Sequence, residues 1–86
     1  MYKLILQLKA QEFYKWLYTA DRSHFDRIVQ AFESLKRDPF QGKKLKLSLK
    51  GNYSLRVGVY RIIYTIEKNI LTVYVFKIGH RRNIYK

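Results

Sequence analysis

The chain has 86 residues, 48% of them apolar and 16% aromatic, with 18 Lys and Arg against 6 Asp and Glu for a net charge of +12. This composition fits a single small folded domain over residues 1–86 and excludes a disordered basic tail, while the charge points to nucleic acid, an acidic protein or an anionic surface as partner. Cysteine is absent, which excludes disulfides and thiolate metal sites, and no run approaches the roughly 20 apolar residues of a membrane span, so a cytoplasmic protein without a membrane partner is expected.

The charge is uneven. Residues 1–38 carry seven basic and five acidic side chains, whereas residues 39–86 carry eleven basic ones and a single acid, Glu67. The positive field therefore belongs to the C-terminal half.

In chain order, residues 2–8 alternate and predict a first strand with Leu4, Leu6 and Leu8 on one side. Residues 10–18 change period, with Phe13, Trp16 and Leu17 at helical spacing. Ser23 followed by Asp26 resembles a capping box that opens a second helix, along which Phe25, Ile28, Val29, Phe32 and Leu35 form one stripe. Pro39 should stop it near Arg37. The two helices read as an antiparallel hairpin that needs a sheet to cover its apolar face.

After a connector around Gly42, residues 45–50 alternate apolar and polar, and Gly51-Asn52 marks a turn. Strand-like runs follow at residues 53–57, 60–66 and 70–78, joined closely enough for an antiparallel meander. The fold class expected is α+β: an N-terminal strand, a two-helix antiparallel hairpin, then a twisted, mainly antiparallel sheet.

A two-residue loop at Gly58-Val59 sets Val57 opposite Tyr60, Arg56 opposite Arg61 and Leu55 opposite Ile62. A second two-residue loop at Lys68-Asn69 would set Ile66 opposite Leu71, Tyr64 opposite Val73 and Arg61 opposite Phe76. One face then carries Leu55, Val57, Ile62, Tyr64, Ile66, Leu71, Val73 and Val75, and the other Ser54, Arg56, Arg61, Ile63, Tyr74 and Phe76. Two arginines directly opposite repel each other, and an anion between them would relieve the repulsion.

Arg56, Arg61, Arg81 and Arg82, with Lys43, Lys44, Lys46 and Lys50, are interleaved with Tyr53, Tyr60, Tyr74, Phe76 and Tyr85. Forked guanidinium donors bind phosphate and aromatic rings stack on unpaired bases, a combination that suits single-stranded RNA. His80 can move a proton near neutral pH, and His24 is the weaker candidate. Two histidines without cysteine or an acidic cluster make no metal site, and no phosphate loop, nucleophile elbow or carboxylate pair is present. RNA carries its own nucleophile, the 2′-hydroxyl, so a base, an acid and cations would suffice to cut it.

At Leu55-Arg56-Val57-Gly58-Val59-Tyr60-Arg61-Ile62-Ile63-Tyr64 and Ile78-Gly79-His80-Arg81-Arg82-Asn83-Ile84-Tyr85 the chain resembles the RelE/ParE superfamily of toxins, closest to its RelE branch. The resemblance implies an endonuclease that cuts messenger RNA in the ribosomal A site, with no cofactor. It also implies a cognate, RelB-like antitoxin that wraps the toxin with an acidic or amphipathic segment in a hetero-oligomer. Arg61 and Arg81 match positions that hold the scissile phosphate, Arg56 a basic position on the preceding strand, and Tyr85 a tyrosine that orients the nucleotide. Ser54 stands where some members have a lysine proposed as the base, and arginine hardly deprotonates, which leaves His80 as the candidate acid or base. A ParE-like inhibitor of DNA gyrase without nuclease chemistry is the alternative from another class, and an RNA-binding domain that has lost activity a third.

Overall fold

The computed structural model describes residues 1–46 and 51–84. Strand β1 (Lys3–Leu6) leads into α1 (Leu8–Ala20) and α2 (Arg22–Arg37). A 3-10 turn (Pro39–Gln41) and the short β2 (Lys43–Lys44) precede β3 (Asn52–Val57) and β4 (Tyr60–Glu67). A second 3-10 turn (Lys68–Ile70) leads to β5 (Thr72–His80). The sheet runs in the order β1-β5-β4-β3-β2, antiparallel throughout except for the parallel pairing of β1 with β5.

The first strand is shorter than its alternation predicts. Gln7 N–H gives the last bond to β5, at Val75 O (2.9 Å), and the chain then turns straight into α1. Leu8 thus lies on the first helical turn and is exposed rather than on the strand's inner side. Along α1 the 3.6-residue period turns Ala10 and Leu17 inward and leaves Trp16 half exposed, its ring tilted against Phe13 at 5.2 Å.

A single residue separates the two helices. Asp21 N–H closes α1 on Leu17 O (2.9 Å), and its carboxylate caps α2 by accepting the His24 N–H (3.2 Å). Ser23 and Asp26 therefore lie inside α2 and form no capping box; Asp26 pairs instead with Arg22 at 3.3 Å. The stripe read from the sequence buries Ile28, Phe32 and Leu35 and partly buries Phe25 and Val29. Asp38 ends the helix before Pro39, as expected.

The β3–β4 hairpin has the predicted register: Val57 faces Tyr60, Arg56 faces Arg61 and Leu55 faces Ile62. Gly58 has φ +61° and Val59 keeps a negative φ, the pattern of a type II′ turn. The β4–β5 connection departs from a two-residue loop, because a 3-10 turn is followed by Leu71 in the left-handed region at φ 47°. Ile66 consequently faces Val73 and Tyr64 faces Val75, two residues further along β5 than predicted. A bulge between Ile63 and Tyr64 adds one more, so Arg61 faces Gly79 instead of Phe76.

A slip of two preserves the faces, which is why the inward assignment of Ile62, Tyr64, Val73 and Val75 holds. Leu71 is lost from the core at 52% exposure, and Ile78 takes a place in it. Both helices cover this one face, where Ala10, Leu17, Ile28, Phe32 and Leu35 join the sheet residues in a single cluster. Among the described residues no helix lies over the other face.

Tyr64 locks the connector onto this core. Its hydroxyl donates to Pro39 O (2.8 Å) and accepts from Gly42 N–H (3.1 Å), and its ring stacks on Tyr53 at 5.4 Å. Burial pushes the phenol up to about 12. Tyr64→Phe should cost about 1–3 kcal/mol in denaturant unfolding, since a buried carbonyl and a part-buried N–H lose their partner. In the native protein, stability should fall as pH rises from about 10, where an unfolded tyrosine ionises, towards the folded value, a decline that Tyr64→Phe should lessen.

Candidate functional site

Arg56 and Arg61 stand directly opposite each other on the face without helices. They relieve their repulsion by diverging along the sheet. Arg61 is half-buried and donates from Nη1 to Ser54 Oγ (3.2 Å), whereas Arg56 is exposed and donates from Nε to Gly58 O (3.2 Å) at the turn. The three ion pairs among the described residues, Arg22 with Asp26, His24 with Asp21 and Lys36 with Glu33, all lie on the helices or the turn between them. No carboxylate among them reaches these arginines.

The floor of this face is more closed than alternation alone predicts. Ser54 and Ile63 are buried, and Ile84 of the C-terminal segment folds back to lie against Gly79, where a Cβ would stand 3.1 Å from its Cδ1. Gly79 is opposite Arg61, and the absence of a side chain there leaves room for the returning segment. Arg81 N–H donates to Val59 O (2.8 Å), which ties the start of that segment to the turn between Arg56 and Arg61.

The remaining basic residues divide. Lys43 pairs with Ser54 and joins the arginine face. Lys44 pairs with Tyr53 and points to the other side, where Lys44, Leu45 and Lys46 line a cavity of about 510 Å³ with Tyr53, Ile66 and Lys68. Arg82 is exposed beyond β5. Lys50 and Tyr85 lie outside the described residues, as does most of the alternating run at residues 45–50.

His80 is separated from the arginine face. It pairs with Tyr60, and its ring lies 6.1 Å from the tyrosine ring on the helix-covered side. Its Nδ1 accepts the Arg82 N–H at 3.2 Å, so the proton of the neutral ring is on Nε2 and that nitrogen is a donor.

On the other side of Tyr60 stands a group of which the sequence singled out only His24, as the weaker histidine. The His24 ring packs edge-on against Tyr60 at 5.0 Å, and Asp21 Oδ2 binds both His24 Nδ1 (2.9 Å) and the Tyr60 hydroxyl (3.2 Å). The His24 bond, more than the other contacts, holds the Asp21 carboxyl below its ordinary range, while burial and then the bond to Asp21 push the Tyr60 phenol up. The signal available was the Asp-x-x-His spacing at a helix start, which places a capping carboxylate beneath an imidazole. Among the described residues no group of three His, Asp or Glu could hold a metal ion, and no helix is long and apolar enough to cross a membrane.

Residues 4–85 match the family described as ParE toxin of type II toxin-antitoxin system, parDE. Toxin RelG of Mycobacterium tuberculosis is 40% identical over 57 residues, which are 65% of this chain and 66% of that protein, just under two thirds. The toxin-antitoxin complex RelBE2 from Mycobacterium tuberculosis includes a chain that superposes with a TM-score of 0.80 at 30% identity, covering 93% of this chain and 98% of that one. The YoeB/ParE toxin from Agrobacterium tumefaciens shares the fold, with a TM-score of 0.83 at 23% identity over 92% of this chain and 98% of its own.

Proposed function

The chain belongs to the ParE toxin family of type II toxin–antitoxin systems, within the RelE/ParE superfamily, and from that premise we propose that it is an endoribonuclease cutting messenger RNA in the ribosomal A site. The observation that carries the reading is the Arg56–Arg61 pair, two like charges opposite each other with Arg81 tied to the same turn. Such a set suits a phosphodiester, whose charge grows in the transition state. The RNA 2′-hydroxyl attacks the phosphorus, so the protein need not generate a nucleophile and calls on no cofactor.

In this reading Arg61 holds a non-bridging phosphate oxygen, Arg56 and Arg81 close over it, and Lys43 and Arg82 steer the strand. Tyr85 orients the nucleotide at the cut. The protein acts in the cytoplasm and is held inactive there by a cognate antitoxin with an acidic or amphipathic segment, as the RelBE2 and YoeB–YefM complexes pair each toxin with its own antitoxin. Lys44, Lys46 and Lys68, round an apolar cavity on the other side of the sheet, suit such a segment better than they suit the scissile phosphate.

Brief expression in a bacterial host with mapping of RNA 5′ ends tests this. Codon-phased cuts in translated messages are expected. The family description names ParE toxins, which favours a second reading, inhibition of DNA gyrase. Arrested replication with intact messages would establish that reading and overturn the first.

A further inference from the structure

The bulge in β5 changes what the arginine face carries. Alternation continued from Val73 and Val75 would turn Lys77 inward, but the irregularity between Ile63 and Tyr64 inserts Phe76 as an extra residue, so that Val75 faces Tyr64 and Lys77 faces Ile63. Residues directly opposite project from the same side of a sheet. Ile63 stands opposite Ser54 on β3 and two residues from Arg61 on β4, whose guanidinium reaches that serine, so Lys77 rises from the arginine face. It is half-buried there. Phe76 is 38% exposed and outside the core cluster that the helices cover, which puts its ring on the same face. The bulge therefore sets an aromatic ring and an ammonium group side by side, where a regular strand would send one of them into the core.

Reach and charge decide what this pair can hold. Arg61 pairs with Gly79, so Lys77 is its diagonal neighbour, about 7–8 Å away between Cα atoms and within range of long side chains. The Arg61 guanidinium turns towards Ser54 on β3, and Lys77 lies on the other side of the buried Ile63. A phosphate on Arg61 thus sits to the β3 side, which places Lys77 for the next phosphate of the strand. Glu67, the only acid after Asp38, is at the far end of β4 opposite Thr72 and does not compete. A cation beside an exposed ring suits a polyanion with unpaired bases, since a duplex hides its bases from the ring.

We propose that Phe76 and Lys77 form a subsite for a nucleotide of single-stranded RNA beside Arg61. The Phe76 ring stacks on the unpaired base of the nucleotide adjoining the cut, and Lys77 Nζ binds that nucleotide's phosphate. The inference rests on the nuclease reading above and adds to it a place for a base. Tyr74, half-buried at the preceding outward position of β5, extends the platform towards β1. Stacking accepts any base, so the subsite holds the message in place with little choice among sequences.

The test uses ribosomes programmed with messages that carry 2-aminopurine at each position of the A-site codon in turn, a base whose fluorescence falls on stacking. A 2′-O-methyl message, which cannot be cut, reports binding and an unmodified one reports cutting, with a thermal melt for each protein. Phe76→Leu keeps apolar bulk without the ring; it should melt like the wild type, bind about 5- to 150-fold more weakly and lose the quench. Lys77→Gln should raise KM with kcat nearly unchanged, and Lys77→Arg should restore KM. A wild type that cuts without quenching any of the probes overturns the subsite alone, as do the Phe76→Leu and Lys77→Gln variants binding and cutting like the wild type. Should Phe76→Leu fail to fold, a wild-type KM in Lys77→Gln overturns it equally. Variants that cut normally but escape neutralisation by the co-expressed antitoxin would give this face to the protein partner instead. A wild-type protein that leaves unmodified messages intact defeats the nuclease reading and the subsite together.

Discussion

Arg61→Ala should reduce cutting by about 10²- to 10³-fold on programmed ribosomes, the cost of removing one preorganised donor from a charge that grows in the transition state. Its melting temperature should fall only modestly. Two opposing effects on the fold meet at this side chain. Arg61 faces Arg56 across the hairpin, and among the described ion pairs none compensates that pair, so deleting one charge relieves a repulsion of about 0.2–1 kcal/mol while removing the phosphate's partner. The bond from Nη1 to Ser54 Oγ disappears with the side chain, and a bond with an ionised donor contributes about 1.5–3 kcal/mol, so it outweighs the relieved repulsion and leaves a small net loss of stability. A variant that unfolds would mean the arginine serves the fold, and one that cuts at the wild-type rate would remove Arg61 from the site. Arg61→Lys separates charge from shape: lysine restores the charge without the fork, and activity well below wild type would mark bidentate binding.

What the sequence made legible depended on whether a local signal existed. The β3–β4 register was readable because Gly58 carries the left-handed conformation that a tight hairpin needs, and from that the opposed arginines followed. The β4–β5 register was not, since Leu71 in a left-handed conformation and the bulge at Ile63 and Tyr64 are set by packing, and neither residue type announces them. The inward faces survived because the loop error was even. The cap of α2 was misplaced by two residues because Ser23 and Asp21 are both good caps, and only the one-residue break between the helices selects Asp21. That error also hid the partner of His24, the weaker of the two histidines in the sequence, whose Nδ1 lies on the capping carboxylate. The RelE/ParE resemblance, by contrast, rested on two contiguous motifs, and the family match over residues 4–85 bears it out.

Gly58→Ala should be the most damaging small substitution in the hairpin, lowering stability and cutting together. At φ +61° any side chain brings the left-handed cost of about 1–2 kcal/mol. The new methyl would also stand 2.6 Å from His24 Nε2 and 2.8 Å from Arg27 Nη1. Arg27 can swing away, but His24 is pinned by Asp21 and packed on Tyr60, so overpacking should add about 1–3 kcal/mol. For a domain of this size each kcal/mol lowers the melting temperature by about 4–8 °C. The two contributions separate in a double-mutant cycle. In a His24→Ala background the steric cost should vanish while the backbone cost stays, so Gly58→Ala should then cost only about 1–2 kcal/mol. Equal costs in both backgrounds would show that His24 does not press on the turn.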